Sequence, residues 1–416
     1  MFVLYELLLV LGLILALPYF LITGVLRGKY IANFPERLGF YRTPAAAHDL
    51  WIHAVSVGET IAARPVVDAI LRRRPQTTIV FTTTTITGQA QARRLFPEAT
   101  VTYFPFDFAA SVKRFLAHHS PKAYATMETE IWPNVTRLSR ARGLRLALAN
   151  GRISDRSFPR YRALRPVVRG VLRHYDRILA REETDRVRFI AIGARPETVE
   201  TTGNVKFDYV PDERPLDFPL EQLIAGRKVL VLASTMPGED ELLIREAETL
   251  RDWFVIVAPR KPERFEFVAA LMPEGAIRRS ELPVAGCQLP DELATGNGQP
   301  ATFFLLDSIG ELARVYRYAH AAFIGGSLLR GVGGHNPIEA AAVGVPVCFG
   351  PYMSNFREIA AIFLRDGAAA EVRTARDVIA FAAREDQAMG ARAREVVAQN
   401  RGAAARTAER IIELLA

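Results

Sequence analysis

Strand-like and helix-like segments alternate in two series along this 416-residue chain, and this alternation restricts the fold more than any other feature. Short β-branched or apolar runs are each followed by a helical stretch, as parallel sheets require. The segments that predict strands are 49–56, 77–85, 99–106, 122–130 and 144–150 in the first series, and 228–235, 253–260, 302–307, 321–327 and 345–350 in the second. We therefore expect an α/β protein of two similar domains, with a cleft between them where ligands meet the carboxyl ends of the strands.

A proline-rich, acidic segment separates the two series, and the chain is too long for one ordinary core. The stretch from residue 375 onward is rich in alanine and arginine and is helical by its periodicity. The predicted bounds are 1–26 for an apolar N-terminal helix, 27–210 for the first domain, 211–225 for a linker, 226–390 for the second domain and 391–416 for a C-terminal helix.

The segment from Leu7 to Leu26 contains no charged residue. As a helix it would be about 30 Å long, which is enough to cross a bilayer core. Basic residues follow it at Arg27, Lys29, Arg37 and Arg42. This asymmetry predicts a membrane anchor with the body of the protein on the cytoplasmic side. A cleaved signal peptide would need positive charge before the apolar run, whereas a buried N-terminal helix and a bent, monotopic insertion remain alternatives.

The net charge of +8 favours anionic partners. Twelve arginines and only two acids lie between Arg137 and Arg177, which suits a phosphorylated membrane surface or a lipid headgroup, with an ordinary arginine-rich surface as the alternative. Aromatic residues are sparse there, so we expect no nucleic-acid partner. The two cysteines and the scattered histidines form no metal-binding pattern, and neither a metal nor a cofactor is predicted.

A glycine-rich stretch, Gly325–Gly334, lies where a strand of the second series gives way to a helix. Backbone N–H groups in such a loop can bind a nucleotide phosphate. Asn336 is suited to cap the following helix, Pro337 to begin it and Glu339 to lie in its first turn. Glu339 could accept hydrogen bonds from a ribose diol, or it could simply complement the helix dipole.

Other polar residues follow predicted strands. Arg260 and Lys261 come directly after one strand, and Gly310 and Glu311 lie at a loop–helix junction. A guanidinium group in such a place can fork onto a phosphate. The alternative for both motifs is an ordinary solvated turn.

Acidic residues mark the first series. Glu59 follows a strand-to-helix turn and could remove a proton from a substrate hydroxyl, although a glutamate there can also merely complement the helix dipole. Glu128 and Glu130 close another strand, and Lys206 lies in a loop near the domain junction, where it could neutralise a phosphate or a carboxylate.

Taken in order along the chain, six motifs resemble those of the 3-deoxy-D-manno-octulosonic acid (Kdo) transferases of lipopolysaccharide synthesis. They are WIHAVSVGE (51–59), METEIWPN (127–134), TGNVKFD (202–208), APRKPERF (258–265), GGHNPIEAA (333–341) and GPYMSNF (350–356). The resemblance implies a GT-B fold of two Rossmann-like domains, with the acceptor domain first, the donor domain second and a C-terminal helix that crosses back to the first domain. It also implies an enzyme on the cytoplasmic face of the inner membrane.

The resemblance implies an inverting transfer of Kdo from CMP-Kdo to a glucosamine hydroxyl of the lipid A precursor, lipid IVA. In this interpretation Glu59 is the general base, while Glu130 and Lys206 support the transition state. The residues implied to bind CMP-Kdo are Pro259, Arg260, Ile309, Gly310, Glu311, Gly334, His335, Asn336, Pro337, Ile338 and Glu339. We expect the arginine-rich region 137–177 to hold the phosphates of the acceptor.

Two other functions fit the sequence. One is a membrane-bound GT-B transferase that uses a UDP-sugar donor and a lipid acceptor, and competition between CMP and UDP would distinguish it. The other is a non-catalytic, membrane-tethered protein that binds a sugar nucleotide, against which the acidic residues Glu59 and Glu130 argue.

Overall fold

The computed structural model describes residues 5–15, 33–282 and 302–416. The chain forms two compact units. The first unit comprises Met1–Asp208 and Arg401–Ala416, and the second comprises Tyr209–Asn400. Each unit is built around one parallel sheet, so the predicted α/β class with two domains is confirmed.

The first unit contains a seven-stranded parallel sheet in the order β3-β2-β1-β4-β5-β6-β7. Its strands are β1 Leu50–His53, β2 Ile79–Thr83, β3 Thr100–Tyr103, β4 Ala123–Met127, β5 Arg145–Gly151, β6 Arg177–Ala180 and β7 Val199–Thr201. Both faces of β1 are buried, since Leu50 and Ile52 pack into one core and Trp51 into the other. Such strands read as continuous apolar runs because helices cover both faces of the sheet.

The first unit contains ten described helices. They are 5–15, Phe34–Arg37, Val57–Arg73, Ile86–Leu95, Ala109–His119, Pro133–Ala141, Phe158–Ala163, Arg165–Leu172, Glu183–Ala191 and Ala403–Glu413, with 3₁₀ turns at Pro196–Thr198 and Val205–Asp208. On one face, Trp51 packs against Phe115 and Tyr124 with ring centroids 4.2 and 4.3 Å apart. On the other face, Ala403, Ala404, Ala408 and Ile411 of the last helix join the core.

The second unit contains a parallel sheet in the order β10-β11-β9-β8-β12-β13-β14. Its strands are β8 Lys228–Thr235, β9 Trp253–Pro259, β10 Ile277–Arg278, β11 Phe303–Leu305, β12 Ala321–Ile324, β13 Val347–Phe349 and β14 Ala369–Glu371. Its helices are Leu220–Ile224, Glu239–Ala247, Phe265–Ala269, Leu312–Val315, Ile338–Ala342, Arg357–Arg365, Ala375–Ala383 and Gln387–Gln399, with 3₁₀ turns at Pro262–Arg264, Arg279–Glu281 and Tyr316–Tyr318.

The segment predicted as a linker, 211–225, packs on the second unit. Phe218 is buried and stacks on Phe304 with ring centroids 5.7 Å apart. Arg314 donates a hydrogen bond of 2.6 Å to the carbonyl of Pro215. Apolar residues within the segment therefore supply part of the core of this unit, and the segment is not a free linker.

The chain returns to the first unit at Arg401. The predicted return at residue 391 lies inside the helix Gln387–Gln399, which belongs to the second unit. Asp208, the last residue of the first pass, accepts hydrogen bonds from the backbone N–H groups of Gly402 (2.6 Å) and Ala404 (2.7 Å). One carboxylate thus binds the start of the returning helix.

The helix at residues 5–15 contacts the first unit through its polar end. The Tyr5 hydroxyl donates to Asp107 over 2.8 Å, and the Asn134 amide donates to Glu6 over 2.7 Å. Among the residues described, no helix combines the length and the apolar character needed to cross a bilayer. Residues 16–26 of the predicted anchor lie outside the described ranges.

Both sheets contain a switch point at which consecutive connections diverge to opposite sides. In the first sheet it lies between β1 and β4, and in the second between β8 and β12. Ligands of open α/β sheets bind outside the carboxyl ends of the strands at such points. Candidate functional residues are therefore those that follow these strands.

Candidate active site

Glu59 lies in the first turn of the helix that follows β1. The helix begins at Val57, and Ser56 serves as its N-cap. The Glu59 carboxylate accepts hydrogen bonds from the backbone N–H of Val55 (2.7 Å) and from the Ser56 hydroxyl (3.2 Å). The S-x-x-E sequence matches that of a capping box. Here, however, the Glu59 carboxylate accepts from the N–H of Val55, the residue before the N-cap, instead of from that of Ser56. Helix capping thus fixes the position of Glu59 at the switch point.

Glu128 directly follows β4 with a left-handed backbone, φ 55°. This conformation is unfavourable for a residue with a Cβ, and it marks a site where the surrounding structure enforces the geometry. The carboxylate of Glu128 lies 3.2 Å from the Lys206 ammonium group. Burial alone would raise the pKa of Glu128, but the positive charges of Lys206 and Arg181 bring it below its ordinary value. Glu128 is therefore an ionised partner of Lys206.

The pKa values of Glu59 and Glu130 are raised, whereas that of Glu128 is lowered. Burial, and next the negative charge of Glu128, raise the pKa of Glu59 to about 7. Burial, with a smaller contribution from Glu128, raises the pKa of Glu130 to about 7 as well. The structure thus brings together three carboxyl groups, of which one is held ionised and two titrate near neutral pH, as a general base requires.

Lys206 is positioned by polar contacts of its 3₁₀ turn. The backbone N–H of Val205 donates to Asn150 at the end of β5 over 3.2 Å, and the N–H of Lys206 donates to Asn204 over 3.1 Å. Asn150 also has a left-handed backbone, φ 54°. The sequence predicted Lys206 and Glu130, but neither the ion pair with Glu128 nor the role of Asn150. An asparagine that precedes glycine at the end of a strand was the available signal for the latter.

The glycine-rich loop of the second unit binds a carboxylate of the protein itself. The N–H groups of Gly326, Ser327 and Leu328 donate to Glu239 at 2.7, 3.0 and 2.8 Å. Glu239 is fully buried. The expectation that these N–H groups are available to a nucleotide phosphate is therefore wrong for these three residues, because Glu239 already satisfies them.

Arg260 acts electrostatically on both His335 and Glu339, so the three belong to one polar group of the second unit. Arg260 is exposed after the end of β9, at Pro259. Burial, and next the positive charge of Arg260, lower the pKa of His335 to about 4, so its imidazole is neutral at pH 7. Its Nε2 atom is buried and accepts or donates no hydrogen bond within the described part of the chain.

The short helix after the glycine-rich loop begins one residue later than predicted. It spans Ile338–Ala342, and Pro337 occupies the N-cap position. Asn336 instead accepts a hydrogen bond from the N–H of Ile338 (3.1 Å) and donates one to Glu339 (3.3 Å). Asn336 therefore orients the Glu339 carboxylate, while Pro337 and Ile338 are buried beneath it.

The third predicted nucleotide segment, Ile309–Glu311, is only partly available to a ligand. Ile309 is 75% exposed, and Gly310 has φ 90°, which favours glycine. Glu311, however, is buried and binds the Arg279 guanidinium group at 3.1 and 3.2 Å. Its carboxylate stabilises the loop, which leaves Ile309 and the backbone at Gly310 to face a ligand.

Within either unit taken alone, the described residues contain no group of three His, Cys, Asp or Glu side chains close enough to bind one metal ion. The first unit thus offers two carboxyl groups with raised pKa values and an ammonium–carboxylate pair, and the second offers a guanidinium group, a neutral imidazole and a carboxylate.

Comparison with known proteins assigns the family. A family model described as 3-deoxy-D-manno-octulosonic-acid transferase (kdotransferase) matches residues 32–209. A 3-deoxy-D-manno-octulosonic acid transferase of Bordetella pertussis is 37% identical over 415 residues, which cover 93% of each chain. One from Haemophilus influenzae is 32% identical over 407 residues, which cover 93% of this chain and 91% of the relative.

The fold is also found in solved structures. The glycotransferase of kitacinnamycin aligns with a TM-score of 0.53 and 13% identity, covering 90% of this chain and 100% of that chain. This likeness concerns the fold alone, which resembles that of GT-B glycosyltransferases. Because the two transferases share about a third of their residues with this chain over nearly its whole length, the chain belongs to the 3-deoxy-D-manno-octulosonic acid transferase family.

Proposed function

We propose that this glycosyltransferase of lipopolysaccharide synthesis moves Kdo from CMP-Kdo to a glucosamine hydroxyl of the lipid A precursor, lipid IVA, with inversion at the anomeric carbon. The observation that carries the proposal is the group of three glutamates at the switch point of the first sheet. Its member Glu59 has a pKa raised to about 7, mainly by burial and next by Glu128. A carboxylate with that pKa can take a proton from a hydroxyl at physiological pH.

In the proposed reaction the acceptor hydroxyl loses its proton to Glu59 as its oxygen forms a bond to the anomeric carbon of Kdo. The bond from that carbon to the CMP phosphate breaks, and CMP leaves with the electron pair. No covalent enzyme intermediate is needed, since one base and one displacement account for the inversion. Lys206, paired with Glu128 at 3.2 Å, supports the transition state together with Glu130.

The second unit supplies the groups proposed to bind the cytidylate. Arg260 offers a guanidinium group to the phosphate, and Glu339 offers a carboxylate oriented by Asn336 to the ribose diol. The neutral imidazole of His335 offers its buried Nε2 atom as a hydrogen-bonding group. The N–H groups at Gly326–Leu328 are not part of this proposal, because Glu239 occupies them.

Placement at the cytoplasmic face of the inner membrane is part of the same proposal. The helix at residues 5–15 exposes Leu7, Leu8, Leu11, Ile14 and Leu15, each by more than half. Apolar side chains in that number suit the hydrocarbon of a bilayer. The polar contacts of Tyr5 and Glu6 bind this helix to the first unit, and the phosphates of the lipid acceptor are proposed to meet the arginines between residues 137 and 177.

The experiment that tests the proposal is a transfer assay. Purified protein is incubated with CMP-Kdo and tetra-acylated lipid A precursor, and the product is weighed by mass spectrometry and its anomeric configuration determined by NMR. We expect a mass gain of one or more Kdo units. The same assay is run with a chelator present, and activity should persist, because Arg260 can balance the single phosphate charge. Stronger inhibition by UDP than by CMP, or turnover of a UDP-sugar alone, would overturn the choice of donor.

A further inference from the structure

The second unit contains a cavity of about 580 Å³ that lies outside the residues proposed to bind the nucleotide. Its walls are formed by the loop after β12, the loop after β13 and the helix Arg357–Arg365. The residues on which the argument depends are Arg330, Gly333, Tyr352, Ser354, Arg357 and Glu371. Its volume falls within the range of about 300–1,000 Å³ that small-molecule sites occupy. We call it the Arg330–Arg357 pocket.

The polar wall of this pocket is positively charged. Arg330 donates a hydrogen bond of 3.2 Å to the Tyr352 hydroxyl, and no carboxylate among the described residues lies within ion-pair distance of it. Arg357, which also has a partner within the protein, lines the same wall. The acid at the rim, Glu371, lies 3.8 Å from Arg373, which offsets its charge. The pocket therefore suits an organic anion.

The floor of the pocket is apolar, with Phe349, Met353, Ala360 and Leu364 contributing to it. A bare phosphate would gain nothing from this surface, whereas a sugar ring has an apolar face that can lie against it. The hydroxyl groups of Tyr352 and Ser354 and the Glu371 carboxylate can exchange hydrogen bonds with sugar hydroxyls. The combination indicates a sugar acid.

The pocket is joined rigidly to the glycine-rich loop. The N–H of Tyr352 donates to the Ser327 carbonyl over 2.9 Å, and the N–H of Asn355 donates to the Gly333 carbonyl over 2.8 Å. The Asn355 amide also donates to the Val332 carbonyl over 2.9 Å. Gly333 lines the pocket, and Gly334 and His335 of the proposed nucleotide site follow it directly. A ligand held at His335 is thus adjacent to the pocket.

The order of the strands places the pocket beside the proposed nucleotide site. Ile309–Glu311 follow β11 and Arg260 follows β9, whereas the pocket lies at the carboxyl ends of β13 and β14. Three strand intervals separate β9 from β13, which amounts to about 14 Å at the usual spacing. The helix with Glu339 follows β12, so the pocket lies one strand interval beyond the residues proposed to bind the nucleotide, at the same edge of the sheet.

We propose that the Arg330–Arg357 pocket binds the eight-carbon sugar acid of the donor, with the carboxylate of Kdo opposite the two guanidinium groups. This inference rests on the proposed function and specifies which part of the site recognises the transferred sugar. Recognition of the carboxylate by two arginines explains how the enzyme would distinguish Kdo from neutral hexoses carried on nucleotides.

The test compares CMP-Kdo with CMP in the full-length enzyme. Arg330→Gln and Arg357→Gln are each assayed for the KM of CMP-Kdo and for the inhibition constant of CMP. We expect each KM to rise about 10- to 100-fold, the loss typical of a charge-assisted contact, while the inhibition constant of CMP stays within about twofold of the wild-type value. Arg330→Lys keeps the charge without the planar fork, so its KM for CMP-Kdo should lie between those of the wild type and Arg330→Gln. It also replaces Arg330→Gln in the test if that variant does not fold.

Arg365→Gln is the matched control. Arg365 is on the same helix but pairs with Asp366 and lies outside the pocket, so both constants should stay at wild-type values. The inference is overturned if the variants leave the KM of CMP-Kdo unchanged, if the affinity for CMP falls in parallel, or if only the KM of the lipid acceptor changes. Wild-type turnover with CMP-Kdo separates these outcomes from a failure of the proposed function, and a wild-type enzyme inert toward CMP-Kdo would overturn both.

Discussion

At the scale of single residues, Glu59 combines a structural and a chemical role. Its carboxylate caps the turn through Val55 and Ser56, and its pKa is raised to about 7 by burial and next by Glu128. Glutamine keeps one oxygen, which can accept the hydrogen bond from the Val55 N–H, but its amide cannot take up a proton. Glu59→Gln should therefore lower the rate constant of transfer, measured in single-turnover assays, by about 10²- to 10⁴-fold. The affinity for CMP should be retained.

The same carboxyl group predicts a pH dependence. A general base is active only when deprotonated, so kcat should fall as pH falls below about 7, where Glu59 becomes protonated. Because Glu130 also has a pKa of about 7 and lies close by, the acidic limb reports the pair. A rate that does not change between about pH 6 and about pH 8 would contradict the assignment.

The raised pKa of Glu59 also affects folding stability, and the sign can be stated. The folded state holds the proton more tightly than the unfolded state, so the associated stability is present at low pH and is lost as pH rises from the ordinary value of 4.5 through about 7. Glutamine does not titrate. The difference in Tm between Glu59→Gln and wild type should thus become more positive from about pH 5 to about pH 8, and a constant difference would count against the raised pKa.

Glu239 shows what single-residue patterns in the sequence do not reveal. Glu59 was predicted from a strand-to-helix turn, Glu130 from the end of a strand and Lys206 from a loop, and the family resemblance supplied their roles. The structure brings the three to one edge of the first sheet. Glu239 opens a helix about 87 positions before the loop that it binds, so no local pattern connects the two. The ion pair between Glu128 and Lys206 is hidden for the same reason, because Glu128 follows β4 and Lys206 lies in a 3₁₀ turn much later in the chain.

Replacement of Glu239 should disturb the glycine-rich loop. In Glu239→Gln the three loop N–H groups lose one of their two acceptor oxygens, because one amide oxygen cannot replace two carboxylate oxygens. We expect a loss of about 1.5–3 kcal/mol in unfolding free energy, seen as a lower Tm, together with weaker binding of CMP. Glu248→Gln, an exposed change just beyond the same helix, is the control and should leave both quantities unchanged. A stable Glu239→Gln variant would show that the loop does not depend on this carboxylate.

At the scale of elements, the long central strands were predicted well because apolar, β-branched runs report burial on both faces. The predicted strand 228–235 coincides with β8. β10 and β14 were not predicted, since two or three residues are too few to show any periodicity. The register of the helix after the glycine-rich loop was missed by one residue, because Asn336 forms its turn with Ile338 before the helix begins.

The helix Ala403–Glu413 depends on a cap supplied from another part of the chain. Its own N-cap position is Gly402, which has no side chain, and Asp208 accepts the N–H groups instead. Asp208→Ala should therefore lower the free energy of unfolding by about 0.5–2 kcal/mol, the usual cost of a lost cap. Since Asp208 belongs to the same 3₁₀ turn as Lys206, kcat should fall as well, with little change in the affinity for CMP.

Glu409→Ala is the control for this prediction. Glu409 is exposed on the same helix and far from its start, so its loss should change stability by less than about 0.5 kcal/mol. If Asp208→Ala and Glu409→Ala have the same Tm, as followed by thermal denaturation, the cap contributes nothing measurable.

At the scale of the whole molecule, the sequence indicated two α/β series and an apolar N-terminus, and the structure supports the first point in detail. The exact points of division were harder to predict. The segment 211–225 looked like a linker because prolines and acids dominate it, yet Phe218 is buried against Phe304. The return of the chain at Arg401 follows a helix that remains in the second unit, and composition is the same on both sides of that point.

The proposed membrane attachment can be tested without removing the N-terminus. Leu11 and Leu15 are 52% and 73% exposed, whereas Tyr5 and Glu6 hold the helix on the first unit. Each leucine moved from water into lipid contributes about 1.5–3 kcal/mol. The double variant Leu11→Asp, Leu15→Asp should thus bind vesicles of phosphatidylethanolamine and phosphatidylglycerol more than about 100-fold more weakly in a flotation assay.

Val187→Asp is the matched control, because it places an acid at an exposed apolar position (54%) elsewhere on the first unit. It should bind vesicles as the wild-type protein does, since only the N-terminal helix is proposed to enter the lipid. Turnover of a short-chain, water-soluble acceptor should be the same in all three proteins, because the substitutions leave Glu59, Glu128 and Lys206 untouched. If the double variant floats with vesicles as readily as wild type, residues 5–15 do not contribute to attachment; if Val187→Asp also detaches, the lipid contact extends over the surface of the first unit.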